Sequence, residues 1–288
     1  MCCDTCFTHT KTGRTWFKDA KRYARFMYHR NRVDLAKKNS KIIKGGTAAY
    51  EAAAGPMIAQ AIDAYNLKDE RFPDLMRAAN RLQTEVQGAQ TLTLQDALDL
   101  IDISSPICFI HCECRKFKYG YVERDRSKMT CLGLGIGMMR WQKTPARYVA
   151  GAEWVDHDEA REWVIKWNKK GLVQNLMNFG MRNGGPYIGG LCNCSRPDCA
   201  SIENRLRYGQ RQLIKGERVA IHNEENCTGC FKCIQRCQFG AIAANIRKGK
   251  VQFDSQMCFG CGLCESDCDF DAIELKNRRD FPILRYDW

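Results

Sequence analysis

Apolar residues recur at helical spacing in several parts of the chain. Leu75, Met76, Ala79 and Leu82 follow Pro73 at intervals of three and four, which predicts a helix with Pro73 in its first turn. Thr93 and Asp96 are spaced as a capping box ahead of Ala97, Leu98 and Ile101. Asp156 can cap a helix whose apolar stripe is Ala160, Trp163, Val164 and Trp167, with Glu159 in its first turn. Lys169 and Lys170 fall in its last turn and Gly171 ends it. Trp163 and Trp167 form an i, i+4 apolar pair and read as core. Residues 48–54 are alanine-rich and helix-forming, and Pro56 is expected to open a new helix rather than sit inside one. Residues 46–104 therefore read as helices.

Residues 1–45 have a different character and end at Gly45-Gly46. Trp16, Phe17, Tyr23, Phe26 and Tyr28 are interleaved with basic residues. Over residues 1–50, twelve lysines and arginines face only Asp4, Asp19 and Asp34. Such an arm suits an acidic partner protein, nucleic acid or an anionic membrane surface, or is simply a solvated face.

Composition changes the picture most through cysteine, of which 288 residues contain 18. Disulfide frameworks belong to secreted chains. The first residues carry no apolar run of signal-peptide length, and no stretch reaches the roughly 18 apolar residues of a membrane span. The expectation is a cytoplasmic protein whose cysteines are thiolate ligands. Cys2, Cys3 and Cys6 stay open between metal binding, lipidation and plain thiols.

Residues 227–244 and 258–275 form an internal repeat with matched cysteines. Cys227, Cys230, Cys233 and Cys237 read C-x₂-C-x₂-C-x₃-C, and so do Cys258, Cys261, Cys264 and Cys268. Three thiolates so closely spaced can wrap one face of an iron–sulfur cubane. Gly229, Gly260 and Gly262 let the backbone turn around it. Zinc, the alternative, is usually held by two C-x₂-C knuckles separated by a longer gap.

The pattern resembles the bacterial two-cluster ferredoxin over residues 221–276. The resemblance implies two [4Fe–4S] clusters and single-electron transfer. In that family the fourth cysteine of each run ligates the other cluster. By position, one cluster would take Cys227, Cys230, Cys233 and Cys268, and the other Cys258, Cys261, Cys264 and Cys237. The family has proline after the fourth cysteine, whereas Gln238 and Asp269 stand here. Asp267, Asp269 and Asp271 beside Cys268 are expected to disfavour an added electron nearby. The formal charge of +12 falls to roughly +8 with two clusters and roughly +6 with three.

A second constellation precedes the repeat. Cys112, Cys114 and Cys131 lie before the Trp163 helix, and Cys192, Cys194 and Cys199 after it, with Cys108 and His111 nearby. This region loosely resembles one that precedes the two-cluster module in larger iron–sulfur proteins of anaerobes. That resemblance implies a third [4Fe–4S] cluster on four of the six cysteines. Zinc and unmetallated thiols remain the alternatives. His111 reads as a core or surface residue.

No Walker loop, nucleophilic triad or complete dinucleotide fingerprint is present, and Gly133, Gly135 and Gly137 read as packing. The expected fold is α+β. A basic arm (1–45) leads into a mainly helical domain (46–215) stapled by the second constellation. The ferredoxin module (220–276) and a short surface tail (277–288) follow. The expected function is that of an electron-transfer subunit without catalytic residues. It would relay electrons between a donor or acceptor protein and the catalytic subunit of an anaerobic oxidoreductase, in a hetero-oligomer. Redox chemistry at the middle cysteines and a cluster-bearing nucleic-acid-binding protein are the alternatives.

Overall fold

The computed structural model of the chain describes residues 46–86, 89–120, 125–135, 153–178 and 189–287. The basic arm, Cys2, Cys3, Cys6 and Gly137 lie outside the described residues.

Two helices open the described chain. Helix α1 (Gly46–Asn66) packs on α2 (Phe72–Val86). The ring of Tyr65 meets Phe72 and Tyr208 edge-on. Pro73 sits in the first turn of α2, and Met76 and Ala79 are buried. Pro56, by contrast, lies inside α1 instead of opening a helix. Gly55 before it has no Cβ to clash with the proline ring, which removes part of the usual objection.

The middle region is more than a helical domain. It is organised by a seven-stranded sheet in the order β4-β2-β3-β6-β5-β1-β7. The strands are β1 (Ala89–Leu92), β2 (Ile107–Ile110), β3 (Cys131–Leu134), β4 (Glu153–Val155), β5 (Val173–Asn178), β6 (Gly189–Cys194) and β7 (Leu213–Ile214). All neighbours are antiparallel except β1 and β7. Strand β1 lies within the stretch read as helix from sequence. Strands β1, β2 and β3 are buried at every residue, so no polar alternation marked them.

The period of two along each strand sorts the side chains onto two faces. Ile107, Phe109, Leu132, Leu134 and Leu191 pack with helices α3 (Leu94–Asp102) and α5 (His157–Lys169). Cys108, Ile110, Cys131, Cys192 and Cys194 point into the core on the other face, with Ile202 of helix α6 (Ala200–Tyr208). Helix α4 (Glu113–Tyr119) follows β2.

The caps read from sequence form. Thr93 accepts from the Asp96 amide, and the Asp96 carboxylate accepts from the Thr93 amide. Asp156 accepts from the Glu159 amide, and Gly171 is left-handed past the end of α5. Trp163 packs on Phe109 with ring centres 4.5 Å apart, and Trp167 is buried. A buried polar chain joins α5 to the sheet. Asn168 donates to Gln174, Gln174 donates to Asn193, and Asn193 donates to the Thr130 carbonyl.

The C-terminal module is a small two-fold arrangement. Strand β8 (Arg218–His222) pairs with β11 (Ile273–Asn277), and β9 (Ile242–Asn245) pairs with β10 (Lys250–Phe253). Helices α7 (Lys232–Arg236) and α8 (Leu263–Ser266) are short and adjacent. The tail runs along the surface, with Ile283 and Tyr286 exposed, and is anchored at two residues. Arg278 is fully buried and Leu284 nearly so, because the guanidinium finds carbonyl partners inside the module.

Candidate metal centres

Each cysteine run is shaped by left-handed backbone. Gly229 and Gly260 occupy equivalent places in the repeat, with φ of 73° and 74°. A Cβ at either would lie 2.0 Å from a carbonyl oxygen, that of Gly249 or Arg218. Glycine is thus needed both for conformation and for space. Gly262 is left-handed at φ 80°, and its repeat counterpart Phe231 adopts φ 59°. A non-glycine residue pays about 1–2 kcal/mol for that conformation, and Phe231 holds it at the rim of the cavity that it lines.

Two small cavities lie in the module. One, the outer site, is lined by Cys227, Cys230, Cys233 and Cys268. The other, the inner site, is lined by Cys237, Cys258, Cys261 and Cys264. Each cavity therefore draws three cysteines from one run and the fourth from the other. Cys230 is exposed, whereas Cys258, Cys261 and Cys264 are buried.

The inner site fits an anionic cluster. The Ala220 amide donates to Cys258 Sγ at 3.4 Å, and the Ala241 amide to Cys237 Sγ at 3.3 Å. Buried Arg278 binds the Cys258 carbonyl, and buried Lys215, paired with Asp287, lies 5.9 Å from the centre of the Phe259 ring. Burial lowers the Arg278 pKa, while the negative charges at Cys258 and Asp287 oppose that shift. Burial pushes the Cys261 thiol up to about 12 and raises Cys264 further. Thiols buried in this way become thiolates together only when a metal compensates the charge. At the outer site burial pushes Cys233 up to about 11.

The acidic residues beside Cys268 are largely compensated. Asp267 is paired with Arg236 at 2.9 Å and Asp269 with Lys232 at 2.6 Å. Gln238, standing where the ferredoxin pattern has proline, joins the module to the middle domain. Its Oε1 accepts from the Arg196 amide at 2.7 Å, and its Nε2 donates to the Gly171 carbonyl. Arg236 adds a hydrogen bond to the Lys169 carbonyl at 3.0 Å.

The second constellation closes into a ring. The free thiol of Cys112 neighbours those of Cys114 and Cys131, and Cys131 neighbours Cys192. Cys192 neighbours Cys194, Cys194 neighbours Cys199, and Cys199 returns to Cys114. Strand register makes the long-range join, since Cys131 lies directly opposite Cys192. Hydrogen bonds from Cys114 and Cys131, with help from Arg115, hold Cys112 well below the usual thiol range. Contact with Cys112 raises Cys131, and contact with Cys131 raises Cys192. Arg115 is fixed by Asp198 at 3.1 Å.

Cys108 is apart from the ring, and its thiol donates to the Gly133 carbonyl at 3.8 Å. Burial pushes it up to about 12. His111 is buried in the core. Among the described residues, no three His, Cys, Asp or Glu side chains converge as ligands of one metal ion. That holds for the ferredoxin cysteines too, which border cavities rather than a single point.

Residues 208–280 match the family model described as a 4Fe-4S dicluster domain. The C-terminal module is therefore an iron–sulfur domain of the ferredoxin type. The match begins beyond the six-thiol ring, at residue 208. No curated protein and no solved structure matches the chain. Among the described residues, no helix is long and apolar enough to cross a membrane.

Proposed function

We propose that the chain is an electron-transfer subunit of an oxidoreductase complex of anaerobic metabolism. One [4Fe–4S] cluster is held by Cys227, Cys230, Cys233 and Cys268, and the other by Cys258, Cys261, Cys264 and Cys237. A third iron–sulfur centre is held by four of the six ring thiols Cys112, Cys114, Cys131, Cys192, Cys194 and Cys199. The observation that carries this reading is the pair of cavities, each edged by cysteines of both runs.

Each cluster, when bound, accepts and returns one electron. The chain's own residues set the conditions. Leu263, Phe259 and Phe239 keep water from the inner site, and the exposed Cys230 brings the outer one to the surface. A redox partner that needs a short approach would meet the outer site, and the basic arm would dock the chain on a catalytic subunit.

An iron and acid-labile sulfide count, with EPR of the dithionite-reduced protein, tests the reading. About twelve irons and three spin systems are expected. About eight irons would confine the clusters to the C-terminal module, and a count near zero in anaerobically handled protein would overturn the reading.

A further inference from the structure

We propose that the six-thiol ring is wired to the ferredoxin module through the inner site alone, with Gln238 as the positioning residue at the crossing. This rests on the reading of the ring as a redox centre.

The buried core around the ring reaches the inner site and none of the outer cysteines. Cys131, Cys192, Cys194 and Cys199 share one continuous buried core with Phe239, Phe259, Cys261 and Leu263, against which Cys112 and Cys237 also pack. The outer cysteines Cys227, Cys233 and Cys268 pack in a second group, around Val219, Ile242 and Val251, which they share with the inner cysteines Cys237, Cys258 and Cys264 but with no thiol of the ring. Between the ring and the inner site stand Phe239 and Phe259, stacked at 4.1 Å and nearly parallel.

A bonded route crosses the same seam. From Cys194 the chain runs through Ser195 to the Arg196 amide, which donates to Gln238 Oε1 at 2.7 Å. Gln238 is joined by one peptide bond to Cys237, a wall of the inner cavity. Its other side-chain end is anchored on the Gly171 carbonyl, so the amide is held at both ends. Proline at this position could make neither bond. No comparable link joins the ring to Cys227, Cys230, Cys233 or Cys268 among the described contacts.

The transfer needs no bond change and no proton. One electron leaves one centre as the next gains it. A one-electron carrier protein at the outer site supplies or removes it, and the catalytic partner closes the balance.

The test is pulsed EPR of the full-length protein, reduced in steps with dithionite. The spin system of the ring should relax several-fold faster once the inner cluster is reduced. Cys230→Ala, which removes an outer ligand, should leave that enhancement in place. In Gln238→Ala, with unchanged iron content and thermal stability, freeze-quench should show the ring reduced about tenfold more slowly than in wild type, while the ferredoxin clusters keep their rate. Relaxation that follows the outer cluster, or no enhancement with twelve irons bound, would overturn the wiring. Should Gln238→Ala fail to fold, the wild-type and Cys230→Ala relaxation data decide alone. Eight irons and no third spin system would instead sink the redox reading of the ring, and the wiring with it.

Discussion

The guanidinium of Arg278 donates from Nη2 to the carbonyl oxygen of Cys258 at 2.6 Å, inside the module and shielded from water. It also binds the carbonyls of Gly216 and Arg218, each at 3.0 Å. A cation so placed stabilises the thiolates of the inner site and favours an added electron there. The basic residue that lines the outer site, Lys232, is exposed and paired with Asp269.

Arg278→Met should therefore lower the potential of the inner cluster and leave the outer one nearly unchanged. A charge interaction on the order of 1 kcal/mol in a medium of intermediate dielectric corresponds to tens of millivolts, at about 59 mV per tenfold for one electron. Three carbonyls lose their donor, so stability should also fall by about 3 kcal/mol. A redox titration followed by EPR reads the first effect and thermal unfolding the second. Equal shifts in both clusters would show that Arg278 acts on the module as a whole.

Gly260→Ala should empty the inner site. The left-handed conformation costs about 1–2 kcal/mol, but the larger penalty is a Cβ 2.0 Å from the Arg218 carbonyl, where backbone must move. Gly249→Ala is the control, because Gly249 is also left-handed, at φ 61°, and has nothing within 4 Å. It should cost about 1 kcal/mol and keep its iron. Loss of iron in both variants would mean that conformation, rather than space, governs the site.

The features legible in the sequence were the local ones. The spacing within each cysteine run, the glycines of the turns, and the caps at Thr93 and Asp156 each depend on residues a few positions apart. What the sequence hid depends on register across long separations. Cys131 meets Cys192 only because β3 pairs with β6, and β3 is four residues long and buried on both faces. A helical period in α3 and α5 was visible, while the sheet beneath them was not. The role of Gln238 was hidden for the same reason. It showed as a missing proline, but its partners Arg196 and Gly171 lie far away in sequence.

Thr93→Ala should remove the bond from the Asp96 amide to the Thr93 hydroxyl, keep the one from the residue 93 amide to the Asp96 carboxylate, and cost about 1 kcal/mol. In a chain of this size that lowers the melting temperature by about 2–4 °C. Because α3 packs on the sheet face opposite the cysteines, metal content and EPR spectra should not change. A loss of iron from this variant would show that the two faces of the sheet are coupled.

Single serine substitutions around the ring decide how many of its six thiols are ligands. A four-ligand iron–sulfur centre predicts that four substitutions each remove about four irons and that two leave the count unchanged. Six equal losses would point to a polynuclear centre that uses the whole ring. Cys108→Ala is the internal control. Its thiol is buried like those of Cys131, Cys192, Cys194 and Cys199, yet it donates to the Gly133 carbonyl on the neighbouring strand and lies outside the closed set of contacts. It should cost about 1–2 kcal/mol through lost packing and keep every iron. If Cys108→Ala also empties the site, the ligand set includes β2, and Cys108 must turn away from Gly133 when the metal binds.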